Sequence, residues 1–312
     1  MSGEFIHKTV LLDEAVKGLH IKPSGIYLDL TFGRGGHSAA ILRELGPEGR
    51  LMAMDRDSVA VKEANTRPNF CDDRFSIEHA PFSDVTKVVS QRGWLGHVDG
   101  ILMDLGVSSP QLDDASRGFS FMRDGPLDMR MDSESGISAA DWLNTVEIED
   151  MSSVFQRYGE EKFHWRFANA IAKQREISPF TTTGQLAAFI ESVAPRKERT
   201  KHPATRVFQA IRIAVNNELG ELETVLSQSL DLLAPGGRLC VISFHSLEDR
   251  LVKHFIREHA EADPYPSDLP IKANVIARRL KKCGGLIRPS DAQIEENPRA
   301  RSARMRMAEK IQ

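Results

Sequence analysis

The chain has little cysteine and no long apolar run. Its three cysteines, Cys71, Cys240 and Cys283, stand far apart in 312 residues, and no C-x-x-C pair occurs. That excludes a disulfide framework and a cysteine zinc site, and it fits a reducing cytoplasm. Cys240 falls in an apolar strand and is expected in the core. No hydrophobic stretch approaches the roughly 20 residues that cross a bilayer, and the N-terminus lacks the apolar segment of a signal peptide. A cytoplasmic protein without a membrane partner is therefore expected. Internal repeats and low-complexity tracts are absent. No His or acid spacing resembles a metal site, so no metal is expected, and the hydrolase signature G-x-S-x-G does not occur.

What is there is an ordinary globular composition, 41% hydrophobic and 27% charged, long enough for one large or two smaller domains. The net charge of −3 conceals an asymmetry. Residues 272–310 carry 11 Lys and Arg against 4 acids, and the remainder carries 30 against 40. A basic C-terminal region on an acidic body points to a polyanionic partner.

The strongest local pattern runs from Ile26 to His37 and on to Asp55. An apolar run ends in Gly33-Arg34-Gly35-Gly36-His37, a helix-like segment follows, and a second apolar run, Leu51 to Met54, ends in Asp55. Strand, glycine turn, helix, strand and acid in that order bind a nucleotide-like cofactor at the carboxyl edge of a parallel sheet. The glycines are expected to let the backbone approach the ligand, and the acid accepts from ribose hydroxyls. A dinucleotide loop has a third glycine where this chain has Ser38. Asp29 inside the first strand and the G-x-G-G turn resemble motif I of S-adenosylmethionine (SAM) methyltransferases.

Strands are predicted at 26–31, 51–55, 74–79, 98–104, 238–244, 273–278 and 303–307, with helices near 217–233 and 248–259. Helical patterns between the first three strands imply a parallel sheet. More than a hundred residues separate the fourth strand from the helix at 217–233, too many for a connection, so a domain is inserted there. Residues 138–193 read as helical, with good N-cap residues at Thr181 to Thr183.

The fourth strand ends at Asp104, followed by Leu105-Gly106-Val107-Ser108-Ser109-Pro110-Gln111. An acid closing an apolar strand is costly without partners, and acceptors at this edge suit reaction at an exocyclic amine, whose N–H groups they can hold. Arg117 to Asp132 mixes Gly, aromatics, Arg and Asp without period. It reads either as a loop that holds a splayed-out base or as a packed loop. Residues 196–206 hold five Lys and Arg against one acid, a natural phosphate patch that includes Arg199, Lys201 and Arg206. Lys162, Arg166, Lys173 and Arg175 extend that patch or lie on solvated helix faces. His245, just after the fifth strand, binds phosphate, orients a base or caps the next helix.

Together these segments resemble the small-subunit ribosomal RNA (cytosine-N4)-methyltransferase family called RsmH or MraW. The resemblance covers His7 with Val10 to Glu14, then Thr31 to Ser38, Asp104 to Leu112, Arg117 to Asp132, Lys201 to Arg206, Ser243 to Arg250 and Asn297 to Ser302. It implies an α/β, class I SAM-dependent methyltransferase fold, Rossmann-like with a mostly parallel sheet and an inserted helical domain. The SAM-binding domain would occupy residues 1–112 and 216–312, and a mainly helical substrate-recognition domain residues 113–215. The substrate implied is the N4 amino group of a cytidine in the decoding centre of 16S rRNA, position 1402 of that RNA, within the small ribosomal subunit. A homodimer is compatible with it.

The SAM contacts implied are Gly35, Gly36, His37, Asp55, Phe82, Asp104 and Gln111. Asp104 is the catalytic candidate, kept ionised by the positive sulfonium beside it. No general base is assigned, because Asp104-Leu105-Gly106-Val107 departs from the acid, Ser or Asn followed by Pro-Pro and an aromatic found in DNA cytosine-N4 enzymes. A nicotinamide-dependent oxidoreductase and a non-catalytic ribosome-binding factor with a vestigial cofactor site are the alternatives. Ser38 opposes the first, and the intact Asp55, Asp104 and Gln111 oppose the second.

Overall fold

Seven strands form one sheet in the order β3-β2-β1-β4-β5-β7-β6. They are β1 (Ile26–Asp29), β2 (Arg50–Asp55), β3 (Phe75–His79), β4 (Val98–Asp104), β5 (Leu233–Ser243), β6 (Leu280–Lys282) and β7 (Arg304–Lys310). The first five pair in parallel, and β7 runs antiparallel to both β5 and β6. This computed structural model describes residues 9–195, 202–261 and 278–311. The predicted strand at 273–278 falls almost wholly outside those residues.

The helices are α1 (Leu12–Leu19), α2 (Gly36–Glu44), α3 (Ser58–Thr66), α4 (Val85–Gln91), α5 (Ser109–Asp113), α6 (Ala139–Thr145) and α7 (Ile148–Gly159). They continue with α8 (His164–Ile177), α9 (Thr183–Val193), α10 (Ala204–Asn216), α11 (Glu218–Leu232), α12 (Ser246–Ala260) and α13 (Asp291–Glu296). The chain divides into two compact units, one of residues 1–106 and 220–312 and the other of 107–219.

In the first unit the inner strands are apolar because helices cover both sheet faces. Leu28, Met52, Met54, Ile101, Met103 and Val241 face one cluster with α11 and α12 residues. Tyr27, Leu51, Ala53, Leu102, Cys240 and Ile242 face another with α1 and α2 residues. Buried Cys240 has its thiol pushed up to about 12 by burial. A thiol reagent at pH 8 should modify the exposed Cys71 rapidly and Cys240 only on unfolding. Peptide mapping of the native labelled protein checks this, and early label on Cys240 would contradict the packing.

The parallel arrangement sends the ends of β1, β2 and β4 to one edge, and each of the three strands ends in an acid: Asp29, Asp55 and Asp104. β5 begins earlier than the sequence suggests. Leu233 pairs with Val98, and the register then slips so that Arg238 meets Gly100. The turn-like Ala234-Pro235-Gly236-Gly237 is taken up in that irregularity, where proline and glycine are tolerated in a strand.

The second unit packs its helices around Phe155, Phe167, Ile171, Leu186, Val207 and Ile211. Capping boxes open α6 at Ser138 with Asp141 and α9 at Thr182 with Gln185, each supplying acceptors for orphan N–H groups. The aperiodic loop from Arg117 to Asp132 belongs to this core: Phe119, Leu127, Met129 and Met131 are buried. Asn216 at the end of α10 accepts from Met131 N at 2.8 Å and donates to Met129 O at 2.7 Å. Those contacts give the loop the packed role rather than that of a free base-stacking surface.

Candidate active site

The glycine turn is stitched to its neighbours by the backbone. Phe32 N donates to Met54 O at 3.1 Å, and Gly35 N donates back to Phe32 O at 2.7 Å. Gly35 has φ +74°, and a Cβ there would collide with the Phe32 and Phe70 rings. A Cβ on Gly36 would run into the Thr9 side chain. Protein therefore fills the space a side chain would need at these two glycines. Ser38, standing where a dinucleotide loop has glycine, donates its hydroxyl to buried Asp29 at 2.6 Å.

Asp55 accepts from Gly33 N at 2.7 Å and from Asp57 N at 2.9 Å. Burial nevertheless pushes its carboxyl up to about 6, with the two N–H groups acting in the opposite sense. A carboxylate has about four acceptor sites, and two are taken. Ala80 N donates to Asp55 O at 3.1 Å, which brings the segment after β3 beside β2. Phe82 stands there, half-buried against the core. The next residue, Ser83, donates its N–H and its hydroxyl to Glu221 on α11, each at 3.1 Å.

Asp104 receives nothing at Oδ1, a buried oxygen with no hydrogen-bond partner among the described residues. Its own N–H donates to Thr31 Oγ1 at 2.6 Å. Burial, Asp29 and Glu248 all raise its carboxyl well above the ordinary range. His37 Nδ1 lies 3.7 Å from Oδ2, and burial lowers the imidazole to about 4, so at neutral pH the ring is uncharged and does not offset the acids. His37 Nε2 faces Val10 O at 3.1 Å. A carbonyl only accepts, so Nε2 carries the proton and Nδ1 presents a lone pair to Asp104. Burial and the two neighbouring acids oppose ionisation of Asp104 in the chain alone. A positive group beside it favours the charged form.

Gln111 lies in the second unit, buried on α5, and its Oε1 accepts from Ser108 N at 2.9 Å. Of the basic residues singled out in the sequence, Arg199 and Lys201 lie outside the described residues. Arg206 has Nη1 3.7 Å from buried Glu161, which gives it a partner within its own unit. Arg175 donates to Leu143 O at 2.9 Å and Val146 O at 2.7 Å, and Arg166 to Val193 O at 2.8 Å. Those two close helix ends. His245 takes the capping role: its Nδ1 accepts from Glu248 N at 3.4 Å. Sequence reasoning missed Glu248 as an electrostatic neighbour of Asp104, although the spacing His245-x-x-Glu248 is a capping signal in itself.

Strand order, glycine turn and acid-ended strands together define a class I SAM-dependent methyltransferase. SAM is the cofactor, and the donor set fits it: Asp55 retains acceptor capacity for a ribose diol, and Asp104 offers an unpartnered buried oxygen to a positive group. The chain belongs to the MraW methylase family, whose model matches residues 4–311. It is 57% identical to a Coxiella burnetii "Ribosomal RNA small subunit methyltransferase H" over 98% of this chain and 99% of that one. A protein of the same name from Shewanella denitrificans is 53% identical over 100% and 99%. A solved SAM-dependent O-methyltransferase from Thermotoga maritima is 12% identical, with a TM-score of 0.41, over 96% of this chain and 64% of that one. That likeness is too loose to add to the strand order. Among the described residues no helix is long and apolar enough to cross a membrane.

Proposed function

We propose that this methyltransferase acts on small-subunit ribosomal RNA and transfers the methyl group to the N4 amine of a cytidine in the decoding centre of 16S rRNA. The relatives' names support the RNA class, and the family resemblance supports the base and position. The observation that carries the chemistry is the unpartnered Oδ1 of Asp104 at the end of β4. Bound SAM supplies an electrophilic methyl on a sulfonium. Asp55 accepts from the ribose hydroxyls, Phe82 packs on the adenine, and Gly35, Gly36 and His37 shape the turn beside the ligand. Residues 113–215 recognise the RNA, with Arg199, Lys201 and Arg206 on its phosphates.

Asp104 ionises next to positive charge and then accepts an N–H from the target amine or from the methionine ammonium. A cytosine amine is a poor nucleophile because its lone pair is delocalised into the ring. An acceptor that holds one N–H favours the pyramidal nitrogen that attacks. No general base is required, since water takes the proton after transfer. A ribosomal RNA substrate supports a cytoplasmic location.

Mapping of methylated nucleotides in small-subunit RNA, treated with and without the protein and SAM, tests this reading. One N4-methylcytidine in the decoding centre is expected only with the protein. Methylation at another base, or on ring carbon or ribose, would overturn the assignment.

A further inference from the structure

A cavity at the carboxyl end of β5 plays no part in the chemistry above. It measures about 220 Å³ and is lined by His245, Ser246, Arg288, Arg301, Ser302 and Arg304, with Phe244 and Ala303. That is room for a phosphate-sized group. Three guanidiniums and two hydroxyls line it, and no carboxylate does.

The arginines are held by defined backbone. Ile287 N donates to Met305 O at 3.0 Å and Met305 N to Ile287 O at 2.9 Å, which fixes Arg288 alongside β7. Arg301 and Ser302 close the tight turn Pro298–Ser302, secured by Ala303 N to Ala300 O at 2.8 Å. Arg304 is half-satisfied. Asp249 meets it at 3.1 Å but also holds Arg306 at 2.7 Å, so one carboxylate serves two cations. Arg288 and Arg301 are exposed and have no hydrogen bond or ion pair among the described residues.

The end of α12 is not what recommends the cavity, because Glu248 already accepts from Phe244 N at 2.8 Å and His245 N at 3.1 Å. His245 brings no free donor to the cavity, because its Nε2 is buried beside Glu248. With Nδ1 accepting from Glu248 N, the proton sits on Nε2, which lies 3.2 Å from Glu248 Oε1 without the alignment of a hydrogen bond. The guanidiniums of Arg288 and Arg301, which have no acid partner among the described residues, suit a phosphate.

Ile242 of β5 pairs with Asp104 of β4, and adjacent strands are about 4.8 Å apart. The cavity therefore opens at the same sheet edge as Asp104, one strand away. The strong positive balance of residues 272–310 is concentrated in part here. We propose that this cavity is a phosphate subsite that seats a backbone phosphodiester of the RNA substrate next to the target nucleotide. The proposal rests on the RNA reading above.

The test compares wild-type protein with the Arg288→Ala/Arg301→Ala double variant, using a short single-stranded oligoribonucleotide containing the target. Affinity is read against salt concentration, with SAM affinity and Tm as controls. For single strands each neutralised phosphate contributes about 0.7 to the slope of log K against log salt. The variant should bind RNA roughly tenfold more weakly at low salt, with a slope shallower by about 0.7 and with SAM affinity and Tm unchanged. Its KM for the small-subunit substrate should rise in step.

An unchanged slope and affinity would overturn the subsite. So would a gain in Tm from inorganic phosphate, seen in wild type and lost in the variant, with RNA binding equal in both. That result would make the cavity a site for free phosphate. Wild-type protein that binds the oligoribonucleotide through this slope but methylates no small-subunit RNA would sink the substrate reading and leave the subsite standing.

Discussion

Asp104→Asn should abolish most single-turnover methyl transfer at saturating SAM while the protein stays folded. Asparagine keeps the shape of the side chain and one oxygen but cannot carry the negative charge that a positive ligand draws out. The loss of one preorganised electrostatic group of this kind typically costs on the order of 10²- to 10³-fold in rate. Saturating SAM and a single turnover separate that loss from any change in cofactor affinity.

Stability should move the other way. Burial, Asp29 and Glu248 raise the Asp104 carboxyl well above its ordinary value, and neutral His37 brings no compensating charge. A raised folded-state pKa means that the folded chain binds a proton the unfolded chain has released. Stability therefore falls as pH rises from the unfolded value through the folded one. Asparagine removes that loss, and no hydrogen bond at Oδ1 disappears with it. The Tm of Asp104→Asn should equal or exceed that of wild type, with a margin that grows as pH is raised. A near-normal transfer rate would take Asp104 off the catalytic assignment and direct attention to Ser108, Ser109 and His245. A lower Tm at every pH would mean the carboxylate is structural.

The parts of the molecule that could be read from sequence were those where one local signal sufficed. The strands before Asp29, Asp55 and Asp104 are short apolar runs closed by an acid, and the inserted unit announced itself by an impossible connection length. The boundaries expected for the insert, 113 and 215, compare with a compact unit of 107–219, because Val107 and Leu112 pack into the helical core. β6 is only Leu280-Lys281-Lys282, with both lysines exposed, so it has no alternation to detect. α13 has a capping box from Ser290 to Gln293 but just six residues, too few for a helical period. The motif Val10 to Glu14 could be recognised but not explained. Its use emerges only in three dimensions, where Val10 O fixes the proton on His37 and so the face that His37 presents to Asp104. The cavity at Arg288, Arg301 and Arg304 is likewise assembled from a bridge, a tight turn and a strand. Charge counts locate its region but not its geometry.

Asp55→Asn is expected to weaken SAM binding by about 2–4 kcal/mol, the worth of one or two charge-assisted hydrogen bonds, or roughly 30- to 700-fold in Kd. The asparagine variant is more informative than alanine. Asp55 also holds Gly33 N and Asp57 N, so alanine would free the glycine turn and mix a structural loss into the binding loss. Asparagine keeps an acceptor for one of these two N–H groups, which bond to different oxygens, and so disturbs the turn less than alanine does. The pH dependence separates the two further. With its carboxyl pushed up to about 6, Asp55 takes a proton as pH falls through that value, and ribose hydroxyls then lose their charged acceptor. Wild-type SAM affinity should therefore weaken below pH 6, by up to about tenfold per pH unit. Asp29 and Asp104 titrate in the same site, so part of the pH dependence will persist without Asp55. The difference between wild type and Asp55→Asn isolates its share: the gap in log Kd should be widest above pH 7 and narrow as the wild-type carboxyl protonates. Calorimetric titrations at pH 5.5, 6.5 and 7.5 measure that gap. A constant gap across the range would show that Asp55 acts through the position of the glycine turn rather than through its charge.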